Sequence, residues 1–141
     1  MGNDIVDGIA VRLGQLFPNI EVHRDEIAQG FDAPCFFIKS LRTVQTAKLD
    51  NRYFRRYSFD VHYFPQQDAG ASADVQEVAA SLLMGLEYIL VGDSLVRAAR
   101  TEYEVHDDVL HFMVDYDLFV LREREKTPYM MTLTQRQKSK G

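Results

Sequence analysis

A second cysteine is missing from the sequence, so Cys35 has nothing within the chain to pair with; disulfides play no part, and a reducing compartment is expected. Long apolar runs are missing too. Charge interrupts every hydrophobic stretch within a few residues, so no membrane-spanning helix is expected. The opening MGNDIVDG is acidic where a secretory signal needs a basic start followed by an apolar block. Val6 stands where a myristoylation motif needs Ser or Thr, so neither form of processing is expected. No phosphate loop, dinucleotide fingerprint or nucleophile elbow occurs, and no His/Cys spacing matches a closed zinc site. Internal repeats and low-complexity blocks are likewise absent.

What is there is a chain of 141 residues, 46% apolar and 26% charged, the size and balance of one soluble globular domain with one core. Its net charge of −5 is unevenly spread. Residues 39–56 hold Lys39, Arg42, Lys48, Arg52, Arg55 and Arg56 against Asp50 alone, a net +5. Residues 126–141 hold Lys126, Arg136, Lys138 and Lys140 with no acid, a net +4, which leaves −14 for the rest. One basic hairpin and one basic tail therefore belong to an acidic body. Such segregation fits nucleic-acid contact, and it also fits copies of one protein docking basic arms onto acidic neighbours. The expected division is a single domain over residues 1–125 and a basic C-terminal arm over 126–141.

Ile5, Ile9, Leu13, Leu16 and Phe17 recur at helical spacing behind Asn3 as a cap, and Pro18 stops the run. IEVHRD, residues 20–25, alternates as a strand does. Two aromatic, β-branched runs, residues 35–45 and 53–64, predict a long hairpin turning near AKLDN, with Tyr53, Tyr57, Phe59, Val61 and Tyr63 along one face. After Pro65 a polar linker leads to Ser72 as N-cap, with Asp74 in the first turn. Val75, Val78, Ala79, Leu82, Leu86, Ile89 and Leu90 then predict one helix, ended by Gly92 and Asp93.

In the last hairpin, a two-residue turn at Asp107 and Asp108 sets Val105 opposite Leu110, Tyr103 opposite Phe112, Thr101 opposite Val114 and Ala99 opposite Tyr116. All of these fall on the face expected to meet the second helix, while Glu104 opposes His111 and Arg100 opposes Asp115 on the other. The element order predicts an α+β fold: a mainly antiparallel β-sheet with two α-helices packed on one face and a long protruding β-hairpin.

No residue set reaches catalysis. Cys35 lies among Pro34, Phe36 and Phe37, surroundings that raise a thiol pKa, so it is expected as a structural residue. His111 opposite Glu104, with His106 one step along, is expected as polar surface pairing, not as a metal site. Asp115 and Asp117 share a strand face without the Glu-x-Lys partner of a nuclease site, and a solvated face is expected there. Tyr53, Phe54 and Tyr57 interleave with Arg52, Arg55 and Arg56 as in a base-stacking platform, although the same period of two is what any half-buried strand carries.

The stretches DEIAQGFDAPCFFIK (25–39) and NRYFRRYSFDVHYFP (51–65) carry a family resemblance. With QGF, PCFFIK and FDVHYFP as the most specific parts, residues 5–125 resemble the tail terminator-like proteins of phages and prophages of Gram-positive bacteria. The resemblance implies a small α+β protein without cofactor, metal or catalysis. It implies a homo-oligomeric ring, commonly of six copies, at the head-proximal end of the virion tail. Such a ring stops growth of the tail tube and meets the head-tail connector; its subunits are made in the bacterial cytoplasm, without a membrane. DNA is a partner only as it passes through the lumen. On that footing Lys39, Arg42, Lys48, Arg52, Arg55 and Arg56, with Tyr129 and Met130 in the tail, are the expected subunit-interface or lumen residues. Another head-to-tail joining component, or a nucleic-acid-binding protein using the basic hairpin, are the alternatives.

Overall fold

Ile5, Ile9 and Leu13 recur every four residues, so a helix stacks them on one stripe, and all three are fully buried. That helix is α1 (Gly2–Leu16), whose bounds place Asn3 within it and not ahead of its start. The structure is a computed structural model and describes residues 2–24 and 31–122. After α1 come β1 (Glu21–His23), β2 (Cys35–Ala47), β3 (Arg52–Phe64), α2 (Ala71–Gly85), β4 (Tyr88–Val91), β5 (Ser94–His106) and β6 (Val109–Leu121). They build one six-stranded sheet in the order β1-β2-β3-β6-β5-β4. Only the short β1 is parallel to its neighbour, with Glu21 opposite Cys35; the other pairs are antiparallel. The fold is α+β, as the sequence predicts.

The second helix is shorter than its apolar stripe suggests. α2 ends at Gly85, where the Leu86 N–H closes onto the Leu82 carbonyl, and Ile89 and Leu90 belong to a strand. Tyr88, Ile89, Leu90 and Val91 alternate exposed and buried, a period of two that tertiary pairing with β5 selects over the helical reading. Gly92, at φ 62°, is thus the turn residue between β4 and β5 and not a helix stop. At the other end the N-cap is Gly70, with no side-chain cap. In place of the expected Ser72 cap, the Tyr63 hydroxyl donates to Asp74 at 2.5 Å and ties the first turn of α2 to β3.

The last hairpin keeps its expected turn and nearly all of its register. Asp107 and Asp108 have φ of 52° and 66°, both left-handed as a two-residue primed turn requires. Val105, Tyr103 and Thr101 oppose Leu110, Phe112 and Val114. A bulge between Ala98 and Arg100 then puts Ala98, not Ala99, opposite Tyr116. Phe112, Val114 and Tyr116 are buried under the helices, whereas Tyr103 and Val105 lie on the same face beyond the core and remain about one third exposed. The Tyr103 hydroxyl still reaches Gln76 on α2, at 3.1 Å.

Ile5, Ile9 and Leu13 from α1, with Val75, Val78, Ala79 and Leu82 from α2, cover Phe36, Phe59, Val61, Leu110, Phe112 and Tyr116 on the sheet. Each of the Val, Leu, Ile and Phe side chains among them contributes about 1.5–3 kcal/mol through burial. The far half of β2 takes no part: residues 39–47 are all exposed. On the opposite face Asp115 is only 7% exposed and lies beside Arg100, so this part of the face is not the solvated surface expected.

Candidate interaction surface

Antiparallel pairing of β3 with β6 sets Arg52 opposite Leu121 at one end of the sheet and Tyr63 opposite Leu110 at the other. The β2–β3 turn and the Asp107–Asp108 turn therefore lie at opposite ends, separated by a strand of 13 residues. The first end collects Lys48, Arg52, Arg55, Arg56 and Arg122 against Asp50 and Asp117, with Arg42 nearer mid-strand. The second carries Glu102, Glu104, Asp107 and Asp108, all exposed. The sheet is electrically polar along its strands.

Alternation along the strands divides the expected basic set between faces. Arg52 and Arg56 stand on the face away from the helices, where Arg42, opposite Ser58, joins them. Arg55 stands on the helix side, donating to Gln45 at 2.6 Å and to the Tyr57 hydroxyl at 3.2 Å. Arg56 is engaged within its own sheet: its Nε and Nη2 donate to the two oxygens of Asp117, each at 2.9 Å. The hydrogen bonds and charge of Asp117 raise the Arg56 pKa further, so this guanidinium stays charged. Lys48 lies in the turn, and Lys39 sits apart, opposite Asp60 toward the acidic end. Lys39, Arg42, Lys48 and Arg52 form no ion pair among the described residues. Tyr129 and Met130 lie outside the described residues.

Apolar side chains accompany the free cations. Val44, Leu49, Phe119 and Leu121 are exposed at the same end, Leu49 by 85%. Phe54 packs edge-on against Phe119 with ring centroids 5.4 Å apart. Exposed apolar side chains rimmed by unpaired cations are the composition of a surface that meets another macromolecule.

The Cys35 thiol is pushed up to about 11, chiefly by burial and then by the charges of Glu21 and Asp32. Burial likewise pushes the Tyr63 and Tyr116 hydroxyls well above the usual phenol value. No helix among the described residues is long and apolar enough to cross a membrane.

Two features escape a reading of the sequence alone. The Arg56–Asp117 pair and a cluster of Asp60, His62 and His111 both depend on the register between β3 and β6, strands separated by a helix and two further strands. Alternation alone places Asp60 with His62 on one face; what meets them there is a long-range fact.

No curated protein matches the chain. One solved structure aligns over 89% of this chain and 99% of its own, with 16% identity and a TM-score of 0.43. A family model described as Phage tail terminator protein matches residues 4–128, nearly the whole chain and every described strand and helix but the first residues of α1. On that match, the chain belongs to the phage tail terminator protein family.

Proposed function

We propose that this phage tail protein closes the tail: a ring of copies, six in number, sits on the head-proximal end of the tail tube, stops its growth and offers a surface to the head-tail connector. Phages and prophages of Gram-positive bacteria are the source, and assembly takes place in the host cytoplasm. The supporting observation is the polarity of the sheet, whose basic, partly apolar end and acidic end lie at opposite tips of the same strands. A closed ring needs a heterologous interface, in which one patch of a subunit meets a different patch of the next. A subunit with complementary ends supplies both halves of that contact.

Arg42, Lys48 and Arg52, unpaired among the described residues, contribute the cations of this interface or face DNA in the lumen, whereas Arg55 and Arg56 mainly shape the hairpin itself. The arm at 126–141, with Tyr129 and Met130, acts as a second contact to a neighbour. No cofactor and no catalysis enter this role.

Sedimentation of the full chain with tail tube protein tests it. Wild type should form a ring-sized species at low salt that weakens as salt rises, because exposed charge pairs are screened over about 8 Å at physiological ionic strength. Lys48→Glu with Arg52→Glu should remain a folded monomer. If both proteins sediment alike as monomers under all these conditions, the ring reading fails and the nucleic-acid reading of the basic hairpin takes its place.

A further inference from the structure

The outer face of the sheet carries a second constellation, independent of the tail role. His62 on β3 and His111 on β6 are directly opposite each other, and Asp60 follows His62 on the same face by strand alternation. Asp60 Oδ2 lies 2.9 Å from His62 Nε2 and 3.3 Å from His111 Nδ1. The two imidazoles stand 4.4 Å apart at 71°. One donor atom from each of the three residues lies within 4.8 Å of the others. Asp60 Oδ1 is buried and has no hydrogen-bond partner among the described residues.

We infer that Asp60, His62 and His111 form a binding site for a divalent transition-metal ion of the Zn2+ or Co2+ class. A tetrahedral ion with ligand distances of about 2.0–2.1 Å needs donors roughly 3.3 Å apart, and the two measured spacings meet that requirement with little movement. Two imidazoles and one carboxylate select borderline ions over Mg2+ or Ca2+, which take oxygen ligands. The three side chains are half-buried, with exposures of 14% to 26%, so rigid β backbone positions them while one side stays open to water as a fourth ligand.

The surroundings bear on the charge. Lys39 faces Asp60 from β2, and Glu104 faces His111 from β5, so one charge of each sign flanks the site. His106 is held by Glu104, and Phe37, Phe64 and Met113 supply apolar walls. An ion here would staple the two central strands of the sheet. The sequence alone suggests surface pairing for His111 and no metal ligand, because both other donors come from β3.

The experiment uses the tag-free full chain stripped with a chelator and titrated with Zn2+ or Co2+ by calorimetry, with thermal melting alongside. One ion per chain is expected, with a rise in melting temperature that Mg2+ does not produce. His62→Gln and His111→Gln should each weaken binding at least about ten-fold, whereas His106→Gln binds as wild type. Absence of saturable uptake, or uptake unchanged in the His62 and His111 variants, overturns the site. If those variants do not fold, the imidazole NMR signals of wild type decide: perturbation of both His62 and His111 on adding Zn2+ supports the site, and unchanged signals overturn it.

Discussion

The Tyr116 hydroxyl donates to the Leu86 carbonyl at 2.6 Å inside the core, satisfying the chain just past the end of α2. Tyr116→Phe leaves that carbonyl buried without a donor, and the expected loss is about 1–3 kcal/mol in chemical denaturation. Cys35 makes a different point. Its raised pKa means that the folded state holds the thiol proton more tightly than the unfolded chain does. The associated stability is therefore complete below the ordinary thiol value of 9.0 and is lost as pH climbs toward about 11. Melting followed from pH 8.5 to 11 should show wild type losing more stability than Cys35→Ala over that interval, and equal losses would refute the assignment. The apolar neighbours that burden this thiol, Phe36 and Phe37, stand beside it in the sequence, so its inertness was legible there. The engagement of Arg56 was not, because its partner Asp117 is 61 positions away.

Between elements, α1 comes close to β4 at Gly8. A Cβ added at Gly8 would lie 2.3 Å from the Leu90 carbonyl oxygen, a backbone atom that cannot swing aside. Gly8→Ala should therefore push α1 off the sheet and cost about 1–3 kcal/mol, despite the better helix propensity of alanine. The Asp107–Asp108 turn offers the opposite case. Both residues are held at positive φ, so Asn-Gly in their place should raise stability by about 1 kcal/mol, read as a higher denaturation midpoint at unchanged slope. This turn could be read from the sequence because local chemistry and strand alternation agree there. β4 could not, since Ile89 and Leu90 extend the apolar spacing of α2 and only pairing with β5 decides between helix and strand. The parallel docking of β1 on β2 was equally hidden, as no local signal in a three-residue strand sets its direction.

For the molecule as a whole, polarity of the sheet makes assembly a question of which end meets which. Consider one chain with Lys48→Glu and Arg52→Glu, in which two cations of the first end become acidic, and a second with Glu102→Lys and Glu104→Lys, in which two acids of the second end become basic. All four positions are exposed, so neither change should cost much fold stability. In a head-to-tail ring each chain alone places like charges at every interface, and both should stay monomeric, because repulsion repeats with each copy. Mixed in equal amounts they regain complementarity. The reversed hairpin end of the first meets the reversed Glu102–Glu104 end of the second, and the native acidic end of the first meets the native basic end of the second. Alternation closes in a ring of even copy number, and six satisfies it. Native mass spectrometry of the two chains, separately and mixed with tail tube protein, should show an alternating oligomer only in the mixture. If the basic end met some other part of the acidic body, the first chain would fail alone while the second, its basic end intact, would assemble by itself, which would move the interface off the Glu102–Glu104 end while leaving the cations at Lys48 and Arg52 in place.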